Sequence, residues 1–166
     1  MARSSPPQDA SRPPPRLRRA YYDCRYGQLH LHNAIPSGGG FDELTSVLCI
    51  HGGGQTGRIF LPALGVLGYE RSAYAPDLPG CGETDPAPGE TALDACANAL
   101  ADFLDSMRIR SVDLLTVGEG QEIAQRLAKA RGAGVRRTLH LTPADLGSPE
   151  LARKLLAALG GGSLPT

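Results

Sequence analysis

The residues with chemical potential gather in two short glycine-rich stretches, His51-Gly52-Gly53-Gly54-Gln55-Thr56-Gly57 and Asp77-Leu78-Pro79-Gly80-Cys81-Gly82. Glycines have no side chain to block approach, so backbone N–H groups in the first stretch can face an anion or a polarised carbonyl oxygen. Gly52, Gly54 and Gly57 also satisfy G-x-G-x-x-G, and Asp77 follows at the distance where a nicotinamide dinucleotide site places an acid for a ribose hydroxyl. That pattern is short in a chain with 21 glycines. It also follows two earlier strands, whereas a dinucleotide fingerprint opens its domain. Glu119 and Glu122 would repel a phosphate at the start of their helix.

Other reactive side chains are isolated by sequence. Cys81 lies between two glycines with no His or Lys spaced to activate it. Cys24, Cys49 and Cys96 form no C-x-x-C pair, and Cys49 and Cys96 read as core residues. His30 and His32 share one face of a strand, but two histidines without a third ligand make a weak metal site, and none is expected. His51 reads as a residue that shapes its loop more than one that moves protons.

Strands alternating with helices must position these loops. Residues 21–25 and 29–34 read as a hairpin, and 45–50 (TSVLCI) as a strand buried on both faces. A helix is predicted over 59–67, with Pro62 tolerated in its first turn, then a strand over 71–76. Thr91 is placed to cap a helix whose apolar face is Leu93, Ala97, Leu100, Leu104 and Met107. A strand over 111–117, a helix over 122–131 and a strand over 136–142 follow. Ser148 is placed to cap a last helix over 149–159, ended by Gly160-Gly161-Gly162. This order predicts an α/β three-layer sandwich around a mostly parallel sheet of about six strands. The strand over 136–142 alternates Leu139 and Leu141 with Thr138, His140 and Thr142, as an edge strand does, and such an edge invites self-association.

At this point the chain resembles the α/β-hydrolase family over about residues 25–145. His51-Gly52-Gly53-Gly54 resembles its HGGG oxyanion loop, and Asp77-Leu78-Pro79-Gly80-Cys81-Gly82-Glu83-Thr84-Asp85 its D-x-x-G-x-G-x-S/T-D loop. Val112-Asp113-Leu114-Leu115 and the helix that follows resemble the nucleophile strand and helix. The alignment puts Thr116-Val117-Gly118-Glu119-Gly120 at the G-x-S-x-G elbow, so Gly118 stands where the nucleophile belongs. The resemblance further implies an N-terminal portion of the fold, without the last two strands and without the later acid and His. Asp145, where some members place the acid, reads instead as a loop residue near a helix start.

The implied function is that of a protein related to ester and carbonyl hydrolases but catalytically impaired. The backbone N–H groups of Gly53 and Glu119 would receive a small carbonyl ligand. Two alternatives stay open: non-hydrolytic chemistry using His51, Asp77 or Cys81 in a pocket with Gly54, and an NAD(P)-binding module using Gly52, Gly54, Gly57 and Asp77.

Bulk properties narrow the setting. Residues 1–20 hold five Arg, one Asp and five Pro and read as a disordered tail. Residues 21–159 form the domain and 160–166 a flexible end. The segment after residue 20 is net acidic, which argues against nucleic acid, and no apolar run is long enough to span a membrane. No secretory signal precedes the domain, so a reducing, cytoplasmic setting without disulfides is expected, with no bound cofactor.

Overall fold

The computed structural model describes residues 13–38, 44–89 and 92–160. Six strands form one sheet in the order β1-β2-β4-β3-β5-β6. β1 (Arg16–Cys24) and β2 (Gly27–Ile35) form the hairpin, and β2 runs antiparallel to β4 (Ala73–Pro76). β3 (Ser46–Ile50), β4, β5 (Val112–Val117) and β6 (Val135–Leu141) are mutually parallel.

The parallel strands are apolar because both their faces are covered. Leu48, Ile50 and Leu114 pack under α2 (Ala92–Ser106) and α3 (Gly120–Arg131), with Phe103, Leu104 and Leu127 filling that layer. Val47, Cys49, Leu115 and Val117 point the other way, into Leu64 of α1 (Leu61–Leu67) and Leu151, Leu155 and Leu159 of α5 (Leu151–Leu159). The three-layer expectation holds. No helix among the described residues is long and apolar enough to cross a membrane.

Several boundaries differ from the sequence reading, each for a local reason. β1 starts at Arg16, inside the stretch expected to be tail, because Arg16–Ala20 pair in register with Leu31–Ile35. A 3-10 turn (Gly57–Phe60) precedes α1, with the Thr56 side chain accepting from the Arg58 N–H. The helix expected over 149–159 is α5, and an unexpected short helix precedes it. A short α4 (Pro143–Leu146) forms first, because Thr142 and Asp145 make a reciprocal capping box. Asp145 thus opens a helix. The Lys154 ammonium, followed by the Thr142 N–H and hydroxyl, holds its carboxyl down to about 2. Ser148 does not cap α5, whose N-cap is Glu150. Thr91, Gly161, Gly162 and residues 1–12 lie outside the described residues.

The far end of β5 is held by a buried ion network. Asp113 is fully buried, accepts two bonds from Arg136 at 3.0 and 2.7 Å, and faces the buried Arg71 at 3.7 Å. Both guanidiniums also reach the end of α5, Arg71 at the Gly160 carbonyl and Arg136 at that of Leu159. β6 forms the outer edge, and Arg136, Arg137, Thr138 and His140 are exposed along it, as its alternation predicted.

Candidate functional site

The carboxyl ends of β3, β4 and β5 bring three loops together. Gly118 follows β5 with φ +59°, a left-handed turn that costs a side-chain-bearing residue about 1–2 kcal/mol. The turn leads straight into α3. Gly120 must then pass close to β3, because a Cβ there would lie 2.2 Å from the Ile50 carbonyl oxygen. Gly118 itself is uncrowded: a Cβ would meet only the Gly52 Cα, at 3.8 Å. The strand-turn-helix elbow therefore has its shape, with open space where a side chain would stand.

The loop after β3 lies against this elbow. A Cβ on Gly52 would come within 3.1 Å of the Glu119 backbone nitrogen. The Gly52 N–H is occupied by the Gln55 side-chain oxygen at 3.1 Å. The N–H groups of Gly53 and Glu119 make no hydrogen bond to a described residue. The Glu119 carboxylate leans over the same place, with one oxygen 3.2 Å from a Cβ built on Gly53. The sequence reading gave Glu119 a backbone donor and a charge that repels phosphate, and nothing in its spacing announces a carboxylate placed over Gly53.

His51 is fully buried and spends both ring nitrogens. Nδ1 is 2.7 Å from the Gly52 carbonyl and Nε2 accepts from the Leu78 N–H at 3.0 Å. The ring pins the β3 loop to the β4 loop. Burial pushes its pKa down, against the opposing pull of the Gly52 bond and the Asp77 charge.

Asp77 is 2% exposed and equally committed. Oδ1 accepts from the Gly57 N–H at 2.8 Å. Oδ2 accepts from the Glu83 N–H at 3.0 Å and faces His30 Nδ1 at 2.8 Å. Burial alone would raise its pKa, but the bonds from Glu83, His30 and Gly57 outweigh it and hold the carboxyl below its ordinary value. Two loop glycines stand where a side chain has no room, one against this carboxylate and one against β4. A Cβ on Gly82 would lie 2.2 Å from Asp77 Oδ2, and one on Gly57 would lie 2.1 Å from the Ala75 carbonyl oxygen.

These facts revise the roles expected of several residues. A buried Asp77 whose oxygens serve the chain's own N–H groups is not presented to a ribose, and Gly57 packs against β4 instead of a pyrophosphate. Cys81 is half-buried, and burial followed by the Asp77 charge pushes its thiol up, away from a reactive thiolate. Cys96 is pushed up to about 11 by burial and is a core residue, as expected. Gly54, at φ +73°, is exposed at the loop tip. Thr116 is buried in β5, 2.8 Å from His140 Nδ1 on β6.

Comparison with known proteins agrees with this geometry. Residues 47–120 match the sequence model of a family described as "Alpha/beta hydrolase family", a span that contains both loops and the elbow. No curated protein matches the chain. Among solved structures it is similar to a carboxylesterase from Bacillus subtilis, with TM-score 0.65 and 18% identity over 76% of this chain and 43% of that one. A haloalkane dehalogenase loop variant from Bradyrhizobium elkanii gives 0.66 and 20% over 75% and 40%. An epoxide hydrolase from Vigna radiata gives 0.64 and 17% over 75% and 39%. The chain therefore spans about two fifths of the length of the structures it resembles.

Proposed function

We propose, from the match of residues 47–120 to the alpha/beta hydrolase family, that the chain is a member of that family that binds a small neutral carbonyl compound at the elbow without cleaving it by Ser-type chemistry. One observation carries this reading. Gly118 keeps the left-handed elbow but offers no nucleophile, while the N–H groups of Gly53 and Glu119 beside it have no partner among the described residues. Two neighbouring backbone donors without partners are what a carbonyl oxygen can use. Without an adjacent nucleophile they can polarise it but cannot attack it.

The Glu119 carboxylate refines the ligand class. A fixed negative charge beside the donors disfavours a carboxylate or phosphate and tolerates a neutral ketone or amide. An amide gains twice, because its oxygen meets the two N–H groups while its own N–H faces Glu119.

The alternative of non-hydrolytic chemistry by His51, Asp77 or Cys81 is less well supported. The first two have their polar atoms engaged, and the third has its thiol held protonated. The test is an amide-resolved NMR titration with N-methylacetamide and, separately, acetate. The expected outcome is saturable shifts at Gly53 and Glu119 with the amide and weaker ones with acetate. Shifts elsewhere only, or none with either compound, would overturn the proposal.

A further inference from the structure

Away from the elbow, on the face of β2 opposite Leu29 and Leu31, three metal-binding side chains converge. His30 and His32 are two positions apart on β2, so both project from one face of the strand. Their rings stand edge to face with centroids 5.2 Å apart. Asp77 arrives from the end of β4, which pairs with β2. One candidate ligand atom from each of the three lies within 4.8 Å of the others. The two histidines alone lacked a third ligand, and the fold supplies it across 47 residues of sequence.

We infer that His30, His32 and Asp77 form a binding site for a divalent first-row transition ion such as Zn²⁺ or Co²⁺. The donor set is the first reason. Two imidazoles and one carboxylate select such ions over Mg²⁺ and Ca²⁺, which prefer all-oxygen sites.

Spacing is the second reason. Adjacent ligands of an ion with bonds of about 2.1 Å sit about 3.0 Å apart in six-coordinate geometry and about 3.4 Å apart in tetrahedral geometry. The His30 Nδ1–Asp77 Oδ2 pair stands at 2.8 Å as a hydrogen bond, which the ion would replace with release of the bridging proton, so His32 is the group that closes in. His32 is half-buried, and its ring nitrogens make no hydrogen bond to a described residue.

Support around the site is the third reason. Asp77 is oriented by the Gly57 and Glu83 N–H groups, and the His30 ring by Tyr21 at 5.0 Å. Ligands fixed by such outer contacts lose little freedom on binding.

Two cations work against the ion. Arg19 lies opposite His32 on β1, and both Arg19 and Arg58 oppose positive charge on His32. They weaken the binding of a cation at this site.

The experiment uses the full chain, stripped with chelator and titrated with Zn²⁺ by calorimetry and with Co²⁺ by visible absorption. The expected result is one saturable site per chain, with Co²⁺ bands free of thiolate charge transfer. His32→Ala should weaken binding at least tenfold, while Cys24→Ser and Cys81→Ser leave it unchanged. His32 is partly exposed and contributes no hydrogen bond, so its variant should fold, which the NMR spectrum verifies. Unchanged binding in His32→Ala, loss of binding in either cysteine variant, or no saturable binding would overturn the inference.

Discussion

Two loops at the carboxyl end of the same sheet have had different fates. In the loop from Asp77, nearly every polar atom is committed: the carboxylate to Gly57, Glu83 and His30, the His51 ring to Gly52 and Leu78, the Thr84 hydroxyl to the His30 N–H. In the elbow at Gly118 the backbone has its strained shape, yet the residue at the turn has no side chain. The glycines, Asp77 and His51 that make the family's loops recognisable are mostly structural here. They fix where backbone groups point, and the turn itself carries no side chain at Gly118. A chain can therefore match the family over residues 47–120 while a glycine occupies the left-handed turn after β5.

That contrast predicts a hierarchy of mutational effects. The largest belongs to Asp77→Ala, which strips the acceptor from three donors at once, two of them buried. Unpaired buried donors cost about 1–3 kcal/mol each, so a total of about 3–5 kcal/mol is expected, read as a fall of roughly 10 °C in Tm. A loss below about 1 kcal/mol would mean that the loop is not held as described.

Next comes a pair of glycines two positions apart. Gly120→Ala drives a Cβ to 2.2 Å from a backbone oxygen and should cost about 2–4 kcal/mol in urea unfolding. Gly118→Ser meets open space and bears only the cost of its left-handed φ, about 1 kcal/mol. Equal costs at the two positions would break the distinction between a structural glycine and a vacated one.

A smaller effect concerns pH. Burial lowers the pKa of His51 in the folded chain below its unfolded value near 6.5, so the unfolded state takes up the proton first. Stability should therefore fall as pH drops through about 6.5 towards the folded pKa, and be unaffected above about 7.5. His51→Gln should flatten that slope while lowering stability at neutral pH. A slope unchanged in the variant would assign it to another group.

Much of this architecture was legible in the sequence, because strands buried on both faces and helices with one apolar face carry strong periodicity. Val112–Val117 and the helix after it were found within two residues. The start of β1 was not, since Arg16, Arg18 and Arg19 are exposed on an edge strand and their pairing with β2 leaves no hydrophobic signature. The capping box of α4 was present in Thr142 and Asp145, three residues apart, but Pro143 made the stretch look like a loop.

At the site, the glycine at the turn after β5 could be read from the motif alone. The commitments of Asp77 and His51 could not, because they depend on N–H groups and a ring that only tertiary structure brings near. The same holds for the meeting of Asp77 with His30 and His32, and for the Glu119 carboxylate over Gly53.

The central claim is that the elbow presents a scaffold without a nucleophile, and one assay tests it most directly. The purified chain is given p-nitrophenyl acetate under conditions where NMR shows it folded, and product release is followed from the first seconds. The account predicts neither a burst nor saturable turnover above the buffer rate. Saturable turnover that disappears on substitution of a single pocket residue, such as Cys81→Ala or His51→Ala with the fold intact, would contradict it.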